Sequence, residues 1–217
     1  MEKSLIIVGG GIIGLSAAYK IAKKDPNIKI RILEKDLCGQ KATTASLGVL
    51  MPYVPNIEKP TAILQRTSLD MYDEFAKELV EFSGVDIEFE RLGHLHVLHT
   101  EKQLEKAKKA VERSFADNNT VNGKPAFELL TFEEAKLLEP NLLEAKFGCM
   151  HSRTTGNLST EKIVIALQKA CEKLGVETIE TCDVKHLLIE NGKAVGVHTN
   201  LGDIKSDMVL ITAGAYS

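Results

Sequence analysis

Three glycines and one glutamate near the N-terminus have the types and the spacing to bind a nucleotide. Gly9, Gly11 and Gly14 follow the apolar run 5–8 in the pattern G-x-G-x-x-G, and Glu34 comes twenty residues after Gly14. Gly9 permits a tight turn, and Gly11 has no Cβ to keep a pyrophosphate from the backbone. A carboxylate at position 34 can accept hydrogen bonds from an adenosine ribose and repels a 2′-phosphate. The pattern therefore predicts a site for FAD or NAD rather than for NADP.

The residues around these glycines predict the elements that would hold such a site. Residues 5–8 are apolar and of strand length, residues 15–24 have helical periodicity, and residues 28–33 read as a second strand. Gly14, Ala18 and Ala22 share one helix face and are all small, so the helix can lie close to a sheet. An ordinary glycine turn does not require a strand before it, a helix and a second strand after it, and an acidic residue at the end of that second strand.

Composition narrows the class of protein. The chain has 217 residues, of which 44% are hydrophobic and 26% charged, with a net charge of −3. Basic residues are scattered or paired with acids, so nucleic acid is not an expected partner. The N-terminal apolar run is far shorter than a membrane span and is followed by glycines rather than by a signal-peptide cleavage site. We expect a cytoplasmic protein without a transmembrane segment.

Cysteine and histidine spacing gives no support to a metal site or a disulfide framework. Cys38, Cys149, Cys171 and Cys182 form no C-x-x-C pair, which favours reduced thiols. In the segment 92–98 polar and apolar residues alternate as in a strand, with His94 and His96 on one face and Leu95 and Val97 on the other. We therefore expect no metal ligands, and the histidines most simply face solvent or a polar wall.

Two readings of residues 38–48 stay open from the residues alone. The segment is small and rich in hydroxyl groups, so its N–H and O–H groups could line an extended ligand. Glycine, serine and threonine are equally what surface loops are made of.

Shifts in pattern predict how the chain is organised. A single long helix is expected over 61–82, and an inserted layer between the shifts at Ser83-Gly84 and Gly156. Residues 208–212 read as a buried strand of the parallel type. We predict an α/β fold with a dinucleotide-binding domain formed by 1–84 and 152–217 and a separate layer over 85–151 that covers the ligand.

This arrangement resembles the FAD-dependent D-amino acid oxidase superfamily, and within it the glycine oxidase branch of thiazole biosynthesis. The most specific motifs are Thr-Thr-Ala-Ser-Leu-Gly at 43–48 and Thr-Ala-Gly-Ala-Tyr-Ser at 212–217. The full resemblance is carried by residues 7–14, 34–35, 43–50, 83–87, 92–95, 139–140, 174–176 and 209–217. It implies a Rossmann-like FAD-binding domain with an inserted α+β substrate domain.

The resemblance also implies roles for individual residues. Residues at the FAD pyrophosphate would be Ile12, Ile13 and Gly14, and those at the adenosine ribose Glu34 and Lys35. The stretch toward the isoalloxazine would be lined by Thr43, Thr44, Leu47, Gly48 and Val49. Val184 would contact the adenine through its backbone, and Ala213-Gly214 would close over the cofactor.

This chain departs from the family pattern in its length and in the residues expected near the flavin and the substrate. Members of the family are considerably longer, so the resemblance implies an N-terminal half, truncated at its C-terminal side. A C-terminal half or a partner subunit would then supply the arginine that clamps the substrate carboxylate. The sequence Val49-Leu50-Met51-Pro52-Tyr53 also differs from the small, polar residues usual near the flavin.

The activity implied by the resemblance is oxidation of a small amine, glycine or a D-amino acid, by hydride transfer to FAD with oxygen as acceptor. We assign no catalytic residue in this chain, because the flavin supplies the chemistry and the protein supplies position and electrostatics. Three alternatives remain: a flavin-dependent dehydrogenase of the same superfamily, an NAD-binding protein, and a non-catalytic FAD-binding fragment or subunit.

Overall fold

The computed structural model describes residues 3–51, 60–118 and 120–217. Pro52 and Tyr53, which the sequence places near a flavin, lie outside these residues. The helices are α1 (Ile12–Lys24), α2 (Pro60–Asp70), α3 (Tyr72–Ser83), α4 (Glu101–Ala116), α5 (Phe132–Leu138) and α6 (Thr160–Lys173). The strands are β1 (Ser4–Val8), β2 (Lys29–Leu33), β3 (Val49–Leu50), β4 (His94–Val97), β5 (Thr120–Val121), β6 (Lys124–Pro125), β7 (Phe127–Leu130), β8 (Cys149–Ser152), β9 (Gly156–Asn157), β10 (Glu177–Ile179), β11 (Val184–Glu190), β12 (Lys193–Thr199), β13 (Gly202–Lys205) and β14 (Met208–Ile211).

By its internal contacts the chain divides into two units. Unit 1 comprises the described parts of Met1–Gly48, Phe75–Glu88 and Ser159–Ser217. Unit 2 comprises those of Val49–Glu74 and Phe89–Leu158. The assignment of FAD-binding and substrate domains to 1–84, 85–151 and 152–217 stays a prediction.

A parallel sheet in the order β10-β2-β1-β14 is the centre of unit 1. Ile6 and Ile7 of β1 and Ile32 of β2 are fully buried in it, as their apolar runs predict. Helix α1 makes the crossover from β1 to β2, and its small residues Gly14 and Ala18 are buried. The predicted strand, helix and strand of the opening segment are thus confirmed.

A second layer of unit 1 is the antiparallel sheet β11-β12-β13. Its inner face contributes Val197 to a cluster with Ile6, Leu33 and Cys182, each no more than 1% exposed. The two sheets therefore share one core, which fixes the carboxyl ends of β1 and β2 in place.

Two expectations about individual elements need correction. The helix expected over 61–82 is two helices, α2 and α3, with Met71 in a turn between them. The last strand, β14, does pair in parallel with β1, but it is not buried: Met208 and Ile211 are 39% and 46% exposed. It lies at an end of the strand order, where it has one neighbour in the sheet.

Unit 2 contains the sheet β4-β8-β7 and the two-stranded pairs β3-β9 and β5-β6. Leu95 and Val97 of β4 pack against a cluster formed by Ala135, Ala145 and Cys149, which confirms the predicted apolar face of that strand. Helices α4 and α5 each begin with a capping box, at Thr100 and Thr131. Across the parts of the chain that the structure describes, no helix combines the length and the apolar composition that a membrane crossing requires.

Candidate functional site

The turn between β1 and α1 can be built only with glycine at two positions. Gly9 has φ +105°, a backbone conformation that residues with a side chain rarely adopt. A Cβ there would lie 2.6 Å from the carbonyl oxygen of Thr212. At Gly14 a Cβ would lie 2.0 Å from the carbonyl oxygen of Gly9. The close contact brings the first turn of α1 directly onto the end of β1.

The N-terminus of α1 is open toward solvent and offers free amide groups. Gly11 is the N-cap residue and has no side chain to cap the helix, so the hydroxyl oxygen of Thr43 accepts the Ile12 N–H at 3.0 Å. The N–H groups of Ile13 and Gly14 have no acceptor within residues 3–51, 60–118 and 120–217. Free amides and the positive end of a helix dipole are the groups that bind anions at helix N-termini.

Glu34 stands at the carboxyl end of β2, beside the glycine turn. Its Oε2 accepts the Gly10 N–H at 2.7 Å, and its Oε1 accepts the Asp36 N–H at 3.0 Å. Each carboxylate oxygen keeps a further lone pair, so Glu34 can still accept from two ribose hydroxyls. The carboxylate is therefore oriented by the backbone before any ligand binds.

The segment after Glu34 folds as a series of turns across the glycine loop. The Gly39 N–H donates to the Gly10 carbonyl at 3.0 Å, and the Thr44 hydroxyl donates to the Gly39 carbonyl at 2.9 Å. Leu47 is 91% exposed. Gly48 has φ +68°, and Val49 after it begins β3 of unit 2, paired with Asn157. Val49 thus belongs to the other unit, whereas Thr43, Thr44, Leu47 and Gly48 belong to unit 1.

The remaining predicted residues lie at neighbouring strand ends of unit 1. Lys35 Nζ is 3.9 Å from Asp183 Oδ2, next to Val184, whose side chain packs on the Leu33 cluster. The Cα of Ala213 is 3.1 Å from the position of a Cβ on Gly9, and Gly214 is exposed with φ +67°. Parallel strands end at one edge of a sheet, so β2 and β14 bring Lys35 and Ala213-Gly214 to the edge where β1 meets the glycine turn. Val184 begins β11 of the antiparallel sheet.

Comparison with known proteins identifies this arrangement. The family described as FAD dependent oxidoreductase (DAO) matches residues 4–217. The chain belongs to this family. FAD is accordingly its cofactor class, and the predicted Rossmann-like, mixed α/β fold with a parallel sheet is confirmed.

Named relatives in this family act on different small molecules. The glycine oxidase of Pseudomonas aeruginosa is 26% identical over all of this chain and 57% of its own length. The L-2-hydroxyglutarate dehydrogenase of Indibacter alkaliphilus is also 26% identical over all of this chain, which covers 51% of it. The crystal structure of glycine oxidase from Bacillus cereus superposes on 99% of this chain with a TM-score of 0.86 at 26% identity, and 56% of that protein is covered. The chain thus spans about half the length of these three relatives.

The residues of unit 1 fit an FAD dinucleotide. Gly9 and Gly14 admit no Cβ, the amides of Ile13 and Gly14 are free to bind phosphate oxygens, and the Glu34 carboxylate is oriented beside the turn. A carboxylate at the adenosine ribose can accept hydrogen bonds from the ribose hydroxyls and repels a 2′-phosphate, which favours FAD over NADP.

Four further residues take part in the geometry of this DAO-family site, although none of them was assigned an individual role from the sequence. The Thr212 hydroxyl lies 2.9 Å from the Val8 carbonyl and 3.0 Å from the Gly9 carbonyl, so it ties β14 to the glycine turn. Gly10, Cys38 and Glu180 meet behind that turn. Thr212 directly follows an apolar strand, which is a usable signal. Glu180 has none, because its contact is with a residue 142 positions away.

Two arginines of unit 2 are already engaged with protein groups. Arg91 donates to both carboxylate oxygens of Asp73, at 2.9 Å and 3.0 Å from Nε, and to the Leu69 and Thr154 carbonyls. Arg153 pairs with Glu128, whose carboxylate also accepts a hydrogen bond from His151 Nδ1 at 3.0 Å. Both guanidinium groups therefore have structural partners within their own unit.

Proposed function

We propose that this chain binds FAD in unit 1 and supports the oxidation of a small amine or amino acid, glycine or a D-amino acid, with oxygen as acceptor. The observation that carries the proposal is the Gly9 to Gly14 turn with Glu34 fixed beside it, in a DAO-family chain 26% identical to glycine oxidases. When bound, FAD supplies the acceptor for a hydride from the substrate Cα.

The chain's own residues would bind and orient the cofactor. In this proposal the amides of Ile13 and Gly14 bind the pyrophosphate, and the Thr43 hydroxyl beside Gly11 can donate its proton to the same oxygens. Glu34 binds the ribose, with Lys35 at its edge. The remaining proposed contacts, carried by the resemblance, are those of Ile12, Thr44, Leu47, Gly48, Val49, Val184, Ala213 and Gly214.

A second candidate is a flavin-dependent dehydrogenase that passes electrons to an acceptor other than oxygen. The Indibacter alkaliphilus dehydrogenase supports it, since it matches this chain at the same 26% identity as the P. aeruginosa glycine oxidase. A non-catalytic FAD-binding subunit, completed by a partner polypeptide, is the third. A cytoplasmic location is part of the proposal and is supported by four free, buried cysteines.

The cofactor is tested by the absorbance spectrum of the purified 217-residue chain after incubation with FAD or NAD. We expect bound flavin for the wild type and for the control Asp36→Ala, and a loss of about tenfold or more in FAD affinity for Glu34→Ala, since two ribose hydrogen bonds to a charged group are removed. A colourless protein that binds NAD tightly would contradict the flavin proposal.

The substrate is tested by peroxide production with glycine, D-alanine and L-2-hydroxyglutarate, each repeated with an artificial electron acceptor under exclusion of oxygen. Peroxide with glycine supports the oxidase. Dye reduction by L-2-hydroxyglutarate without peroxide supports the dehydrogenase. Bound flavin without either reaction, both in the chain alone and after completion by a C-terminal segment, supports the non-catalytic subunit.

A further inference from the structure

Glu180 lies just after β10, at the point where that strand's end is bonded to the end of β2. The Glu34 N–H donates to the Ile179 carbonyl at 2.9 Å, and the Cys182 N–H donates back to the Glu34 carbonyl at 2.8 Å. These bonds fix the backbone on either side of Glu180. The Cys38 N–H takes no part in these backbone bonds. It donates to Oε1 of the Glu180 side chain at 2.8 Å.

Cys38 transmits this contact to the glycine turn. Its thiol is buried, at 7% residue exposure, and a Cβ built on Gly10 would lie 2.4 Å from its sulfur. The sulfur therefore fills the space behind Gly10 in van der Waals contact with the backbone. Gly10 also donates its N–H to Glu34 and accepts the Gly39 N–H, so it is held from three directions.

We propose that Glu180 is a positioning residue for the dinucleotide site: it holds Cys38 against Gly10 and so fixes the turn that presents the phosphate-binding amides and Glu34. The inference rests on the proposed FAD site. Glu180 acts through the backbone of Cys38 and is not itself assigned a contact with the cofactor.

The alkylation rate of the Cys38 thiol can be used to measure this contact. Burial raises its pKa to about 12, and the neighbouring charge and hydrogen bond of Glu180 contribute to the rise, with smaller effects from Glu34 and Cys171. A thiol so protonated and enclosed reacts slowly with alkylating reagents. Loss of the Glu180 carboxylate should lower the pKa and loosen the loop, and both changes speed alkylation.

The test compares Glu180→Ala, Glu180→Gln and the control Glu177→Ala in the full 217-residue chain. Glu177 is a carboxylate on the same strand that pairs with Arg31 at the surface. We measure FAD affinity by flavin fluorescence at a temperature where each variant is folded, and the pH profile of Cys38 alkylation by mass spectrometry of its peptide.

We expect Glu180→Ala to weaken FAD binding about tenfold, since a hydrogen bond to a charged acceptor is lost, and Glu180→Gln to weaken it about threefold, since a neutral acceptor remains. Both should speed Cys38 alkylation, and Glu177→Ala should change neither quantity. Unchanged affinity and unchanged alkylation in Glu180→Gln would overturn the proposal even if Glu180→Ala failed to fold.

A wild-type chain that bound no FAD would contradict the proposed function and not the placement of Cys38. Alkylation alone would then decide the matter: equal Cys38 rates in wild type and Glu180→Gln would overturn the positioning role.

Discussion

At the scale of single residues, the geometry of the candidate site depends on positions where a Cβ atom would overlap neighbouring atoms. A Cβ at Gly14 would overlap the Gly9 carbonyl, and one at Gly10 would overlap the Cys38 sulfur. Gly11, the N-cap residue, has no side chain, so the first turn of α1 has no cap of its own. Thr43 supplies that cap from 31 positions along the chain, so the second loop is coupled to the first through one hydroxyl group.

Replacing Thr43 with valine should therefore destabilise unit 1 even without flavin. The Ile12 N–H would lose its acceptor, and loss of an N-cap hydroxyl costs about 1 kcal/mol of the free energy of unfolding. Urea denaturation of the flavin-free chain measures the difference. Thr43→Ser is the matched control, because it keeps the hydroxyl and should lie within about 0.5 kcal/mol of wild type. Equal stability of the valine variant and wild type would show that the cap carries no free energy.

At the scale of elements, α1 and α3 are joined by a partly buried polar contact. The Tyr19 hydroxyl, on a fully buried ring, donates to Glu78 Oε1 at 2.5 Å, and Lys20 and Lys23 approach the same carboxylate at 3.1 Å and 2.9 Å. The Tyr19 hydrogen bond is the main cause that lowers the pKa of Glu78 from 4.5 to about 2, and the two lysines add to it. Burial is the largest cause that raises the pKa of Tyr19, and the hydrogen bond and charge of Glu78 raise it further.

This pKa shift predicts an acid-dependent loss of stability. A carboxyl group with a lower pKa in the folded state stabilises the fold fully above pH 4.5, and the contribution disappears as the pH falls toward 2. The effect is reduced by solvent, since the Glu78 side chain is 35% exposed. Urea unfolding from about pH 3 to about pH 6 should show a smaller slope for Glu78→Gln than for wild type. The exposed Glu81→Gln on the same helix is the control, and parallel slopes for all three proteins would contradict the assignment.

The elements that could be predicted from the sequence are those whose signal is local. The order of β1, α1 and β2 follows from an apolar run, small residues at helical spacing and a second apolar run. The break at Met71 between α2 and α3 carries no proline or glycine, so periodicity alone joins the two helices. The exposure of β14 is likewise not local, since it depends on how many neighbours the strand finds in the sheet.

The candidate site divides in the same way. Gly9, Gly14 and Glu34 are recognised by spacing, because one turn of backbone and one strand determine their positions. Cys38 and Glu180 could not be recognised, because their contacts join segments that are distant in sequence and depend on the packing of β10 against β2.

At the scale of the whole molecule, cofactor binding and substrate binding are separate requirements. Unit 1 contains the groups that fit FAD. In unit 2 the arginines that stand at turns, Arg91 and Arg153, are paired with Asp73 and Glu128. Before either guanidinium group could hold a substrate carboxylate, it would have to leave its carboxylate partner and the backbone carbonyls to which it donates. The glycine oxidases of P. aeruginosa and B. cereus are nearly twice as long as this chain.

We therefore predict that the 217-residue chain turns over glycine far more slowly than a form completed by the segment that follows the matched region in the relatives. A fixed cation orients the substrate carboxylate and hence the Cα, and a well-placed group of this kind is worth about a hundredfold or more in rate. The measurement is peroxide production with glycine by the chain alone and after co-expression with the remaining segment of P. aeruginosa glycine oxidase, both loaded with FAD. Arg91→Lys and Arg153→Lys provide the internal control: if both rates are equal and either variant abolishes turnover, the carboxylate clamp lies within this chain and the prediction is wrong.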